Sequence, residues 1–287
     1  MITQTQLSVR TVNPKDRHKL ANLIHFETYV HRHLDWRPPL DWLGNQPYLL
    51  AEQNGSVIGA LACPPDPPQV SWIRLFAAAS YLPVDRAWHA LWPAALDDLQ
   101  QADQLGWVAA IPLQEWFQSL LEKSQFVLTH RVIMLSWEPS RMPVDAPHSA
   151  GLTLRPMNFD DLPAVREVDA ASFTPIWQNS IPCLQLAFNQ ATIATVAEQE
   201  GRMVGYQIST ATSLGGHLAR LAVLPEHQGK GIGFSLVCDL LKQFERRGAA
   251  GVTVNTQQDN EASLSLYRKA GFRRTGEEYP VYEYALR

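Results

Sequence analysis

Cysteine is scarce in this chain of 287 residues: only Cys63, Cys183 and Cys238 occur, and their spacing supports neither a disulfide framework nor a CxxC zinc site. No uninterrupted apolar run approaches the ~18 residues of a membrane span, and the amino terminus MITQTQLSVR lacks a signal-peptide core. Basic residues are not in excess either. Lys and Arg number 24 against 28 Asp and Glu, for a net charge of -4, which excludes the basic stripe of a general nucleic-acid binder. With 46% hydrophobic and 18% charged residues the composition is that of a globular protein. These absences predict a soluble, reduced, cytoplasmic protein without nucleic-acid or membrane partners or a metal, either monomer or homodimer.

What is present is a repeat. EQNGSVIGALA from Glu52 matches EQEGRMVGYQI from Glu198 at an offset of 146, which also carries Gly55 onto Gly201, Gly59 onto Gly205 and Arg74-Leu75 onto Arg220-Leu221. EKSQF ending at Phe126 falls on RKAGF ending at Phe272, and SVRTVNPKD from Ser8 resembles TLRPMNFDD from Thr153 at an offset of 145. Four segments in one order indicate two copies of one fold, each about 140 residues, as chain length allows. The stretch from Glu138 to Gly151 holds three prolines and reads as an exposed linker.

In the second copy LTLRPM (152–157) predicts a strand and Asp160–Ala171 a helix with Pro163 in its first turn. TIATVAEQEGRMVGYQIST predicts a hairpin and HLARLAVLP a strand. Gly233–Arg247 predicts a helix with Leu236, Val237, Leu240, Leu241 and Phe244 on one face, stopped by Gly248. GVTVNT, Glu261–Ala270 and VYEYALR follow as strand, helix and last strand. This order predicts an α/β (α+β) class: a mixed, mostly antiparallel sheet flanked by helices, twice over.

One turn carries chemistry. Gln228-Gly229-Lys230-Gly231-Ile232-Gly233 puts three glycines between a strand and a helix start. Without Cβ atoms the chain can bend sharply and offer consecutive N–H groups to one anion, and the helix adds the positive end of its dipole. A phosphate or pyrophosphate suits this place, with Lys230 a cation at its rim. The dinucleotide GxGxxG and the P-loop GxxxxGK[ST] are both absent. On this stretch alone a plain glycine-rich turn is the alternative.

Downstream stands Asn260-Glu261-Ala262-Ser263-Leu264-Ser265-Leu266-Tyr267-Arg268-Lys269-Ala270-Gly271-Phe272. A strand, Q-x-x-G-x-G, an amphipathic helix, a strand and then N-x-x-S-x-x-L-Y-x-K-x-G-F resembles the signature of the GNAT superfamily of acyl-CoA-dependent N-acyltransferases, over residues 152–287. The resemblance implies tandem GNAT-like domains and acetyl-CoA as co-substrate, its acetyl group passing directly to a primary amine of a small molecule or peptide. It implies that the backbone around Leu221, Ala222 and Val223 pairs with the pantetheine arm and that Gln228, Gly229, Lys230, Gly231, Ile232 and Gly233 hold the pyrophosphate. Asn260, with Ser263, is implied at the cofactor arm, and Tyr267 as the acid that protonates the departing thiolate. A phenol of pKa about 10 is protonated at neutral pH and competent for that step. Tyr267 as a packed core aromatic is the alternative, since Leu266 and Phe272 flank it.

No carboxylate stands on His217-Leu218-Ala219-Arg220-Leu221-Ala222-Val223 to serve as general base. His217 and, through water, Glu198 are candidates, though a strand-end histidine and a glutamate repeated as Glu52 suit structural roles as well. Glu278, Tyr279 and Tyr282 are candidates to line the acceptor site. HFETYVHRH (25–33) reads as a solvated helix face and Cys238 as core.

The first copy departs from the pattern. At the 146 offset Gly229, Gly231 and Gly233 become Pro83, Asp85 and Ala87, and Tyr267 becomes Leu121. Pro83 removes an amide, and Asp85 sets a negative charge where a pyrophosphate would sit. Only 4 of 16 glycines but eight of nine tryptophans precede residue 140, and Trp88 and Trp92 are expected to fill the groove. The predicted organisation is a degenerate domain without a cofactor site at 1–138, a linker at 139–151 and a domain with the acetyl-CoA site at 152–287. A non-catalytic CoA-binding sensor and a purely structural tandem domain are the competing readings.

Overall fold

The computed structural model describes residues 7–102, 105–141, 151–213 and 215–286. The first copy contributes β1 (Ser8–Thr11), α1 (Arg17–Phe26), β2 (Tyr29–Arg32), β3 (Tyr48–Gln53), β4 (Ser56–Ala62), β5 (Val70–Trp72), β6 (Leu75–Ala78), α2 (Val84–Leu99), β7 (Trp107–Ala110), α3 (Glu115–Lys123) and β8 (Val127–Trp137). The second contributes β9 (Leu152–Pro156), α4 (Leu162–Ser172), α5 (Ile181–Gln190), β10 (Ile193–Gln199), β11 (Arg202–Thr212), β12 (Gly215–Val223), α6 (Ile232–Arg246), β13 (Val252–Gln257), α7 (Glu261–Lys269) and β14 (Arg273–Ala285). Helices and mostly antiparallel strands alternate as the α/β reading requires. α5 is the one long element of the second copy that the sequence pattern did not single out.

Both copies start by the same device. Asn13 and Asn158 each cap a short 3-10 turn, with the carboxylate of Asp16 or Asp161 returning to the asparagine N–H. That carboxylate also takes two hydrogen bonds from Arg10 or Arg155, whose guanidinium reaches on to Glu52 or Glu198. The arginine draws Asp16 down to about 2. The same triad at the same places, beside the same bulge at Ala51/Glu52 and Ala197/Glu198, explains why these residues recur.

The compact units do not divide at the proline-rich linker. One consists of residues 1–129 with 280–287, the other of 130–279. The expected boundaries at 138 and 151 therefore give way to an exchange, because β8 and β14 each run from one unit into the other. In the second unit Ile133, Leu135 and Trp137 are buried in the core, and β8 pairs with β13 from Val252↔Trp137 to Gln257↔Val132. In the first, Tyr282 and Tyr284 of β14 pair with Ala110 and Val108, and Tyr282 donates to Glu122 at 2.6 Å. Of the linker, Pro139–Arg141 forms a 3-10 turn and 142–150 lie outside the described residues. Among the described residues no helix is long and apolar enough to cross a membrane.

In the first unit one sheet has the order β1-β3-β4-β6-β2, and in a separate sheet β5 pairs in parallel with β7, which pairs with β14. Trp88 and Trp92 of α2 stack at 5.5 Å inside the core rather than lining a groove. His31 is on β2, fully buried against Phe117 at 4.1 Å. Of the HFETYVHRH histidines only His25 lies on α1 and faces solvent, because Glu27 ends that helix.

Two outcomes follow. A chain of residues 139–287 lacks Ile133, Leu135 and Trp137 and is expected to give a near-UV circular dichroism spectrum without fixed aromatic packing, while the full chain retains it; a native-like spectrum for the fragment refutes the exchange. Burial holds His31 at about 4. The unfolded chain takes that proton near 6.5, so this stability is intact above pH 6.5 and falls as pH drops toward 4, by up to about 3 kcal/mol. Urea unfolding at pH 7 and 4.5 is expected to show a smaller loss in His31→Leu than in the parent chain.

Candidate functional site

The second unit opens between two of its strands. β12 pairs with β13 in parallel at Gly216↔Val252, His217↔Thr253 and Leu218↔Val254 only, although β12 continues to Val223 and β13 to Gln257. A bulge against β11 at Ile208/Ser209 turns β12 away at that point. Among the described residues no strand pairs with β12 on that side beyond Leu218.

The register fixes which backbone groups face the opening. Leu224 N donates to Val204 O at 2.9 Å, and β11 pairs onward as Gly205↔Val223, Tyr206↔Ala222 and Gln207↔Leu221. Bonded and non-bonded pairs alternate in an antiparallel ladder. Ala222 thus turns its N–H and C=O to β11, while Leu221 and Val223 turn theirs into the opening. Consistently, Val223 O accepts from the Ser172 hydroxyl and the Gln228 side-chain amide, each at 3.0 Å. Of the three strand residues expected to meet a ligand through the backbone, Leu221 turns both groups and Val223 its N–H to the opening, Val223 O being held by Ser172 and Gln228, and Ala222 turns neither.

β12 leads through Pro225–His227, a 3-10 turn, into the glycine bend and α6. Gly229 and Gly231 have φ of +74° and +86°, the left-handed region where an L side chain is strained. Gly231 is the N-cap of α6 and makes no side-chain cap. The first-turn N–H groups of a helix have no partner within it, so they and the helix dipole point at the end of the opening. Ile232 and Leu236 pack with Leu221 and Val223, which pins the helix start to β12. A Cβ at Gly233 would make an ordinary contact, 3.4 Å from Leu266 of α7. Lys230 lies on this bend.

Asn260 is the N-cap of α7: its Oδ1 accepts from Ser263 N at 3.0 Å, and its Nδ2 faces Gln257 Oε1 at 3.4 Å. Tyr267, on the same helix, is 5% exposed and packs on Phe272 at 5.6 Å between centroids. Burial pushes its phenol well above 10. It is thus both a core aromatic and a firmly protonated donor. His217 Nδ1 lies 2.8 Å from Thr253 Oγ1, and burial pushes the imidazole below its usual range, keeping it neutral at pH 7. Glu198 is engaged by Arg155. Glu278 lies 4.0 Å from Arg131, and half-buried Tyr279 donates to Glu277. Tyr282 belongs to the first unit, buried against Glu122, and is not part of this site.

Sequence reasoning missed a buried charge cluster beside the opening. Asp169, fully buried on α4, accepts from Tyr206 hydroxyl at 2.6 Å, from Arg220 Nε at 2.8 Å and from Asn179 N at 2.9 Å. Arg220 also donates to Trp177 O, and its guanidinium lies 3.6 Å over the Phe173 ring. Segment 173–179 is thereby tied to β12. Repetition of Arg74 as Arg220 was the available signal; its partner, distant in sequence, was not readable.

Residues 162–272 match the sequence profile of the acetyltransferase (GNAT) family. N-alpha-acetyltransferase 30 of Schizosaccharomyces pombe is 34% identical over 92 residues, 30% of this chain and 61% of that protein. The ribosomal protein bS18-alanine N-acetyltransferase of Escherichia coli K12 is 26% identical over 122 residues, 42% of this chain and 80% of that one. A tandem GNAT protein from the clavulanic acid biosynthesis pathway shares the fold at a TM-score of 0.64 and 14% identity, over 98% of this chain and 99% of that one.

Removing the Asp169 charge strands Arg220 in the interior. Asp169→Asn is expected to lower stability by about 3–5 kcal/mol in chemical denaturation, the cost of breaking a buried ion pair. A change below about 1 kcal/mol, the scale of an exposed pair, would show that the cluster is solvated.

Proposed function

The chain belongs to the GNAT superfamily, and from that premise we propose that it is an N-acyltransferase moving acetyl from acetyl-CoA directly to a primary amine of a small molecule or a peptide. The observation that carries the reading is the opening between β12 and β13, which ends at the glycine bend of α6. An extended amide chain suits the backbone of Leu221 and Val223, and a diphosphate suits the N–H groups of residues 229–233. The names of two relatives, an N-alpha-acetyltransferase and an alanine N-acetyltransferase, favour an acceptor with a free α-amine.

In this reading a neutral amine attacks the thioester carbonyl, the C–N bond forms as the C–S bond breaks, and Tyr267 gives its proton to the leaving sulfur. A thioester needs little activation, so positioning and this one proton carry most of the acceleration. The bend and Leu221/Val223 hold the donor, and the Asp169–Arg220 cluster holds segment 173–179 at the side of the opening. His217, neutral and next to the last paired residues of β12, is the candidate to take the proton from the amine.

Free-thiol release from acetyl-CoA, measured over small amines and peptides, tests the activity. Tyr267→Phe is expected to lower kcat by about 100-fold or more while acetyl-CoA affinity changes little; unchanged turnover removes Tyr267 as the acid. Gly231→Asp, which strains the bend and adds a like charge, is expected to abolish acetyl-CoA binding. Wild-type chain that neither binds acetyl-CoA nor releases thiol with any acceptor defeats the reading.

A further inference from the structure

The first unit has the same strand geometry at the corresponding place. β4 pairs with β6 as Gly59↔Ala78, just as Gly205 on β11 pairs with Val223 on β12. Phe76 and Ala78 therefore stand where Leu221 and Val223 stand, with their backbone groups turned away from β4. Here a strand is waiting for them. β2 pairs with β6 as Tyr29↔Ala78, Val30↔Ala77, His31↔Phe76 and Arg32↔Leu75, and His33 N donates to Arg74 O at 3.0 Å.

Other features fit this seat. Tyr29 meets Trp116 edge to face at 5.4 Å and His31 stacks on Phe117, both on α3, the counterpart of α7. At the foot of β2 the Glu27 carboxylate accepts from the N–H of Ser80 at 2.7 Å, ahead of α2. The glycine bend has no equivalent there. α2 starts at Val84, directly after Pro83, and Asp85 lies in its first turn.

The second unit shows why its own opening is not filled in this way. The segment after α4 that corresponds to β2 is Thr174–Gln178, and Pro175–Trp177 forms a 3-10 turn. Trp177 N bonds Thr174 O and Gln178 N bonds Pro175 O, so these groups are used within the turn. Val30, whose place Pro175 takes, sends its own N–H to Thr28 O rather than to β6, so the 3-10 turn and not a missing donor keeps this segment out of a ladder.

We infer that the first unit retains the cleft of an acyl-carrier site and fills it with its own strand β2, so that one carrier molecule binds per chain, and that the 3-10 turn at Pro175–Trp177 keeps the second cleft free. Only the ligand of the second cleft rests on the function proposed above; the occupied first cleft stands apart from it. A main-chain segment thus takes the place in one copy that an extended amide ligand takes in the other.

Calorimetric titration of the full chain with acetyl-CoA, together with amide hydrogen exchange of free and loaded chain, tests this. Expected are one site per chain, and amides of Leu221 and Val223 that exchange at least about 10-fold more slowly when loaded. Amides of β2 and of Phe76 and Ala78 are expected to be slow in both states and unmoved by the ligand. Two sites per chain, ligand-dependent slowing at Phe76 or Ala78, or rapid exchange along β2 would overturn the inference. A chain that binds nothing but keeps β2 protected defeats the proposed activity and leaves the filled first cleft standing.

Discussion

A strand edge with unclaimed hydrogen-bonding groups is the constraint on which the rest of this structure turns. Each peptide group held away from water must find a partner, so an interior edge is either paired or reserved. At Ile208/Ser209 a bulge turns β12 away from β13, and the parallel ladder stops after Leu218. The glycine bend, the packing of Ile232 and Leu236 on Leu221 and Val223, and the burial of Tyr267 all gather around that edge. In the proposed function this length of main chain, with a helix start at its end, holds the donor, and Tyr267 supplies the proton.

The same constraint explains the contrast between the copies. Both inherit the Arg–Asp–Glu triad and the hairpin bulge, which set the register of the leading strands. They diverge in a few residues after the first helix. YVHR extends and joins a ladder, whereas TPIW closes a 3-10 turn on itself, Trp177 N bonding Thr174 O. A four-residue difference decides between a filled and an open edge.

Much of this was legible in the sequence. Glycines at 229 and 231 between a strand and an amphipathic helix marked the bend, and Asn260 the start of α7, because each residue type answers a local backbone need. The self-match exposed the duplication and pointed to Glu52 and Glu198 as framework. Three things were hidden because they depend on partners far along the chain. The Asp169–Tyr206–Arg220 cluster joins three elements, and the ladder of β2 on β6 links segments more than forty residues apart. The exchange of β8 and β14 moves Tyr282 from the supposed acceptor site into another core. Trp88 and Trp92 stack in the core of the first unit beside Phe76 and Ala78, while β2 takes the edge of β6.

Because β8 is encoded before the linker yet completes the core around α6 and β13, sequence position and physical address do not coincide in this protein. A substitution at Ile133 or Leu135 lies in the copy without the glycine bend, but its cost falls on the unit that has it. Selection on the second unit therefore reaches back into the first copy and holds residues there that its own fold does not need.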